Sequence, residues 1–439
     1  MSATAETESF IPYTREELID LCIEDGKLAN EDIPPFRAFC ELLAAHSNFQ
    51  FHKHLETLKA NYAPFDPDNL EHTLGPAEAI PSDIKENRFV ETLRYTLECA
   101  NYRELDDAAI QEAIANSALV DLKTDIDFND FDQVVFYYRG STPTDIDLTR
   151  FYVWKKKIQT AVFTNVVLGI KFKEASYFQA QKRKVEKLNF KPGLMYLYMY
   201  RNIPKYDLEL LFPNVKLDMN LIDRLLFIVP ALAAGVSVLF KALPNLILLV
   251  GLLLLLGLGP SYAEWVGVYE DEVKDFVPIL FAFFSLSVAL GGFAVKQYFG
   301  YQTRRMKFMK DVMDTLFFKN MASNASVFYT VIDAAEEEEC KEIILVYYHL
   351  LTNGAELTPD ALDATIEGWL AQKDSTATVN FDITRTIERM QAVNVLLGEG
   401  DMATTALASV DTQGHCLVLP LLDAKRLLDK IWDNAFQYA

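Results

Sequence analysis

The sequence predicts an α+β integral membrane protein that is mostly helical, with two or three transmembrane helices, a small antiparallel sheet before them and a winged-helix-like C-terminal domain. Three features lead to this prediction: an apolar block at 225–299, β-branched and aromatic runs within 120–203, and helical stretches followed by a hairpin near the C-terminal end. A helix needs about 20 apolar residues to cross a bilayer. The apolar block therefore determines the predicted fold class.

Composition divides the 439 residues into five predicted segments. They are an acidic helical domain at 1–119, a small α+β sheet domain at 120–203, a juxtamembrane connector at 204–224, a transmembrane region at 225–299, and a helical stalk with the winged-helix-like domain at 300–439. The net charge is −21, although 151–224 holds 14 basic and 6 acidic residues. An acidic chain lacks the positive surface that nucleic acids require, whereas a basic segment beside a bilayer attracts anionic lipids. We therefore expect membrane lipids as partners and no nucleic acid.

The first segment is predicted to be helical at 13–60, 81–99 and 105–117. Thr14 followed by Glu17 forms the S/T-x-x-E pattern of a capping box. The N-terminal sequence contains neither an apolar signal region nor an Arg-rich transit peptide, which favours a bacterial inner membrane over a mitochondrion.

Cysteine and histidine patterns point to no cofactor. Five cysteines lie far apart in the sequence, which is typical of reduced thiols. His52 and His54, together with His46, His72 and Cys40, form a weak metal pattern, because residues two apart do not share a helix face. We expect no metal and no cofactor.

Three runs of the second segment are predicted strands, at 134–140, 160–173 and 193–202. The connector follows, in which Pro204 and Pro213 enclose a short helical turn with Asp207 and Glu209. The sequence places Asp223 and Arg224 at the predicted lipid boundary, where aspartate can cap a helix and arginine can reach the head groups.

Two apolar runs form the predicted membrane region, Leu225–Gly259 and Phe276–Val295. Basic residues flank the block on both sides, and the connection between the runs is acidic. Because positive residues stay on the cytoplasmic side, this pattern favours two crossings with both termini in the cytoplasm. Lys241, beside Pro244, leaves a third crossing open.

After the second apolar run, Gln297–Met321 is predicted to continue as a helix, and the next helix, with Asn324 as its cap, is predicted to run to about Leu351 and contains Glu336, Glu337, Glu338 and Glu339. A solvated helix face is the favoured interpretation of these four glutamates, over a site for a basic partner or a divalent cation. Helices starting at Pro359 and after Asp382, a hairpin turning at 412–414 and a closing helix give the order of a winged helix. Since Arg385 and Arg389 are mixed with acidic residues, protein contact is favoured over DNA binding.

Three blocks of the chain resemble the transmembrane protein 143-like family. They read NIPKYDLELLFPNVKLDMNLIDRL, LFFKNMASNASVFYTVIDAAEEEECKEIILVYYHLL, and FDITRTIERMQ with LPLLDAKRLLDKIWDNAF. The resemblance covers roughly 130–436 and implies a membrane protein with few spans, soluble flanks and no established activity. An aminopeptidase label on some plant relatives is not transferred, because the sequence has no HExxH motif.

These observations favour a non-enzymatic membrane tether or scaffold that binds a protein partner or a second copy of itself. One alternative is an enzyme at a lipid surface that uses Asp207, Glu209, Asp218 and Asp223 beside the basic 171–191 segment. Another is a channel or transporter subunit with Lys241 facing its centre. The candidate interaction residues are Pro204, Asp207, Glu209, Pro213, Asp223, Arg224, Lys241, Glu336, Glu337, Glu338 and Glu339.

Overall fold

The structure is a computed structural model. It describes residues 10–68, 81–105, 110, 122–150, 154–219, 257, 276–353, 357–373, 379, 382–395 and 405–434. Contacts divide the chain into two compact units. The first contains Met1–Ser117, Ile126–Asn214 and Lys319–Ala439, and the second contains Ala118–Asp125 and Val215–Phe318.

Three helices open the first unit: α1 (Arg15–Glu24), α2 (Ile33–Tyr62) and α3 (Ser82–Cys99). The predicted capping box at Thr14 and Glu17 is confirmed, since each side chain bonds the other residue's backbone N–H. The helix predicted at 105–117 lies outside the described residues, apart from Leu105 and Ile110.

A five-stranded antiparallel sheet follows, in the order β1-β3-β4-β5-β7. Its strands are β1 (Arg103–Glu104), β3 (Phe131–Arg150), β4 (Trp154–Phe172), β5 (Met195–Pro204) and β7 (Asn320–Ser323). The antiparallel pairing predicted for the three β-rich runs is confirmed. A short helix, α4 (Ala175–Ala180), and a 3₁₀ helix (Val185–Lys187) lie between β4 and β5, and a second 3₁₀ helix (Lys205–Leu211) follows β5.

Strands β3 and β4 extend beyond the rest of the sheet as a two-stranded arm. Strand β5 pairs with β4 only over 162–171, whereas β3 and β4 continue to pair with each other out to Arg150 and Trp154. Within the described residues, the last eight residues of β3 and the first eight of β4 pair with no further strand. At about 3.3 Å per residue, this arm is about 26 Å long.

The second unit contains an antiparallel pair, β2 (Leu122–Asp125) and β6 (Lys216–Met219), and the helix α5 (Phe276–Lys319) up to Phe318. Helix α5 contains the second apolar run, and it continues without a break for 44 residues through Lys296, Arg304 and Lys310. Most of the first apolar run, Leu225–Gly259, lies outside the described residues.

The prediction of transmembrane helices was wrong. Among the residues that the structure describes, no helix combines the length and the apolar composition that a membrane crossing needs. The fold class of an integral membrane protein is therefore corrected to an α+β fold built on a five-stranded antiparallel sheet. The predicted multi-pass location in a bacterial inner membrane is contradicted by the same finding.

The chain after α5 returns to the first unit. Its helices are α6 (Ala325–Thr352), α7 (Pro359–Lys373), α8 (Ile383–Ala392) and α9 (Leu421–Asn434). Two small antiparallel pairs lie between α8 and α9: β8 (Asn394–Val395) with β9 (Thr405–Ala406), and β10 (Ala408–Val410) with β11 (Cys416–Val418). The predicted hairpin is β10–β11, whose turn contains Gly414 at φ 87°. The likeness to a winged helix stays a prediction, as do the predicted domain boundaries.

Helix α6 is shared by two apolar cores. Its first half, including Phe328 and Val331, packs with α2, α3 and one face of the sheet. Its second half, including Ile344 and Tyr347, packs with α1, α2, α7, α8, α9 and the hairpin. One helix therefore joins the sheet to the C-terminal helices.

Asn324 links the sheet to α6. It lies at the predicted start of the helix, but its side chain makes no capping bond. Instead, the carbonyl oxygen Oδ1 accepts from Leu197 N at 3.3 Å and from the Tyr62 hydroxyl at 3.4 Å, and Nδ2 donates to Asp68 at 2.7 Å. Its backbone has φ 50° and ψ −128°, a region that favours glycine.

Substitutions of Asn324 separate the contribution of its side-chain hydrogen bonds from that of its backbone strain. We expect Asn324→Ala to lower the free energy of unfolding by about 2–4 kcal/mol, because buried groups lose hydrogen bonds and the backbone stays strained. Asn324→Gly loses the same bonds but relieves the strain, so we expect it to be about 1 kcal/mol more stable than the alanine variant. Urea denaturation measures both. A glycine variant less stable than the alanine variant would contradict the strain.

Candidate functional site

The four glutamates of α6 do not form a solvated face, and that favoured interpretation was wrong. Glu338 is only 2 % exposed. The other three are partly buried, and each has a partner from elsewhere in the chain: Asn48 Nδ2 donates to Glu336 at 2.8 Å, Arg15 N donates to Glu337 at 2.8 Å, and Arg389 pairs with Glu339 at 3.3 Å. The three partly buried glutamates therefore contact other segments of the same chain.

Glu338 and Lys341 together bind the backbone of the N-terminal segment. Lys341 Nζ lies 2.8 Å from Glu338 Oε1 and donates to the carbonyl oxygens of Ile11 and Tyr13 at 2.9 and 3.0 Å. Glu338 Oε2 accepts from Ile11 N at 3.2 Å. Arg139 adds a further positive charge 3.8 Å from Glu338. A buried ion pair is stable only when its remaining polar atoms also find partners, and here the N-terminal backbone supplies them.

Glu342, one turn further along α6, is fully buried and binds α8. Its two oxygens accept from Asn101 Nδ2 at 2.8 Å and Thr386 Oγ1 at 3.0 Å, and Arg389 lies 3.5 Å away. Burial raises the pKa of Glu342, while Arg389 and the two hydrogen bonds oppose this shift. Glu342 therefore holds α8 against α6.

The two arginines of α8 are directed into the fold. Arg389 contacts Glu339 and Glu342, and it also donates to Cys99 Sγ at 2.9 Å. Arg385 donates to the carbonyl oxygen of Glu98 at 3.0 Å and to Asn101 Oδ1 at 3.2 Å. Since both guanidinium groups contact other parts of the fold, α8 does not present the basic surface of a DNA-recognition helix.

An open groove of about 490 Å³ lies where the end of α3 meets the first turns of α7 and α8. This acidic groove is lined by Glu98, Asn101, Tyr102, Arg103, Pro359, Asp360, Asp363, Asp382, Ile383, Thr384 and Arg385. Four of these residues are acidic and two are basic. Helix geometry explains part of the set, because carboxylates are favoured at helix N-termini, and Asp382 caps α8 by accepting from Arg385 N at 3.0 Å.

The surroundings of Asp363 in the acidic groove disfavour its charged form. Partial burial raises its pKa, and the charges of Asp360 and Asp382 raise it further. Its Oδ1 atom is buried and has no hydrogen-bond partner among the described residues. A positive charge placed in the groove would relieve this repulsion.

The predicted connector residues lie apart from the acidic groove. Pro204 ends β5, Asp207 and Glu209 lie on the 3₁₀ helix predicted there, and Pro213 follows it. Burial raises the pKa of Asp207 to about 6, Lys319 opposes this shift, and Glu209 adds to it.

Other predicted residues of this region are not described. Asp223, Arg224 and Lys241 lie outside the described residues, as does the side chain of Asp218. Neither Asp207 nor Glu209 lines the acidic groove.

The weak histidine pattern is spread along one helix. His46, His52 and His54 lie on α2, and His72 lies outside the described residues. No three His, Cys, Asp or Glu side chains in the described part of the chain are placed to hold a metal ion.

Sequence reasoning missed the acidic groove and the partners of α6. Asp360, Asp363 and Glu98 come from segments more than 250 residues apart, and no local pattern connects them. A signal did exist for Glu338, Lys341 and Glu342. Their spacing of three and four residues places them along one helix face, directly before the apolar run IILVYY.

A comparison with protein families gives a match to a family whose function is not known. The model of the family described as "Protein of unknown function (DUF3754)" matches residues 163–326, from β4 to the first residues of α6. The match includes Asp207 and Glu209 but neither the four glutamates nor the acidic groove. No solved structure matches the chain.

A substitution of Lys341 tests the buried ion pair that it forms with Glu338. We expect Lys341→Met to lower the free energy of unfolding by about 3–5 kcal/mol, because it leaves the buried Glu338 carboxylate without its cation. Lys27→Met is the matched control, since Lys27 pairs with Asp25 at 3.0 Å but is half exposed. This control should cost at most about 1 kcal/mol. Equal losses in urea denaturation would show that burial of the pair is unimportant.

His349 is a further buried titratable group of α6. It is 1 % exposed, its ring lies 5.3 Å from that of Trp369, and Nε2 has no hydrogen-bond partner among the described residues. Burial lowers its pKa to about 4, Lys27 lowers it further, and Asp25 opposes the shift. The fold therefore holds His349 in its neutral form.

Lowering the pH should destabilise the fold through His349. Between pH 6.5 and about 4 the unfolded chain binds a proton at His349 more readily than the folded chain, so stability falls as the pH decreases. We expect this loss to reach about 3 kcal/mol and to be absent in His349→Phe. Asp207 acts in the opposite direction in both proteins, so the difference between their pH–stability curves isolates His349. Parallel curves would contradict this assignment.

Proposed function

We propose that the protein is a non-enzymatic scaffold that binds a basic segment of a protein partner in the acidic groove. The proposal rests on the carboxylates that are crowded together in the groove. Glu98, Asp360, Asp363 and Asp382 outnumber Arg103 and Arg385 in the lining, so the groove has an excess of negative charge. Its volume lies in the range of ligand sites.

The surrounding fold favours a protein partner over nucleic acid. Arg385 and Arg389 form internal contacts, and the net charge of the chain is −21. A phosphate backbone would be repelled by such a groove. Lysine or arginine side chains would instead meet carboxylates whose mutual repulsion they reduce, as at Asp363.

A rigid support favours binding in the groove. The groove floor contains Asn101 and Tyr102, which are 6 % and 4 % exposed. Asn101 is held by hydrogen bonds to Glu342 and Arg385, so a residue of the groove lining is bonded to the buried Glu342 of α6. Such preformed sites bind with a small loss of conformational entropy.

A hexalysine peptide is the probe for this groove. We expect the wild-type chain to bind it, and Asp360→Asn combined with Asp363→Asn to weaken binding about tenfold, since two charge contacts are lost. Binding should also weaken as the pH falls, because Asp363, whose pKa is raised, becomes protonated. Isothermal titration calorimetry measures both effects.

Charge-matched controls make this test specific. Asp429→Asn with Asp433→Asn removes the same charge from the exposed face of α9 and should bind hexalysine as the wild type does. Unfolding curves check that each variant folds; Asp363→Asn should be no less stable, since its neighbours disfavour the carboxylate. If both double variants bind equally, the groove is not the site.

A further inference from the structure

The β3–β4 arm carries the opposite charge to the acidic groove. Its outermost register pairs are Arg150↔Trp154, Thr149↔Lys155, Leu148↔Lys156 and Asp147↔Lys157. These eight positions contain four basic residues and one acidic residue. In a chain of net charge −21, the outer end of the arm is therefore a local concentration of positive charge.

The arm is also poorly supported within the described part of one chain. Beyond Pro143 and Ala161, β3 and β4 pair only with each other. An isolated two-stranded ribbon is marginally stable in water, so contact with another surface would stabilise it. None of the described residues that line the acidic groove comes from the arm.

We infer that the basic end of the arm of one copy binds in the acidic groove of a second copy. The inference rests on the proposed function, because it assigns the basic segment that the groove takes. The arm's length of about 26 Å lets its end reach a neighbouring molecule, and the opposite charges of the two surfaces select this pairing.

This contact joins two different surfaces, so the copy that supplies the arm keeps a free groove and the copy that supplies the groove keeps a free arm. Such head-to-tail contacts produce rings or open chains. Assembly should therefore grow with protein concentration and not stop at a dimer. It should also dissolve at high salt, where the screening length falls from about 10 Å at 0.1 M to about 3 Å at 1 M.

Two charge-neutralising variants test the pairing by sedimentation velocity of the full chain at low salt. The arm variant, K155Q/K156Q/K157Q, keeps its groove, and the groove variant, D360N/D363N, keeps its arm. We expect the wild type to form species larger than a monomer and each variant alone to lose them. Mixed together, the two variants should form a one-to-one dimer and nothing larger, because only one intact arm and one intact groove remain.

A matched control separates this pairing from general charge effects. K182Q/K184Q/K187Q makes the same charge change at exposed lysines outside the arm and should assemble as the wild type does. A monomeric wild type, a mixture without the dimer, or equal loss of assembly in this control would each overturn the inference. The mixture also guards against misfolding, since the dimer forms only if both variants are folded.

Hexalysine binding by the arm variant distinguishes the two proposals. If this variant binds the peptide but the wild type stays monomeric, the groove takes a basic segment and the inference about the arm is wrong. If no variant with an intact groove binds hexalysine, the proposed function is wrong and the inference is overturned with it.

Discussion

The fold depends on the burial of charges in the middle of α6. This helix joins two apolar cores, and the turns between them contain Glu338, Lys341 and Glu342, each at most 3 % exposed. A buried charge is tolerated only when it is paired and hydrogen-bonded. The N-terminal backbone, Asn101 and α8 meet this requirement, so the position of three distant segments follows from one helix.

This internal compensation determines what remains on the surface. Arg139 and Arg389 are directed toward the acids of α6, whereas Arg385 bonds the backbone of Glu98 and also lines the acidic groove. Four carboxylates in the groove therefore face only two arginines.

Local patterns in the sequence predicted local structure well. The capping box at Thr14, the three β-rich runs and the cap at Asp382 all depend on neighbouring residues, and all are found. The failures concern context. The apolar composition of 276–295 predicted a membrane crossing that the described helices do not support, and four adjacent glutamates do not show which distant groups will cover them. The groove joins Glu98 to Asp363, a relation that no sequence window contains.

The bond between Ile11 and Glu338 has a consequence for synthesis of the chain. These residues are 327 positions apart, and a ribosome adds about 5–20 residues per second. Roughly 15–65 s therefore pass between the emergence of the N-terminal segment and the arrival of the helix that covers it. During that interval Phe36, Phe39 and Leu43 of α2 have no partner in α6. The nascent chain thus presents exposed apolar surface for most of its translation, which makes it a natural client for chaperones that act at the ribosome.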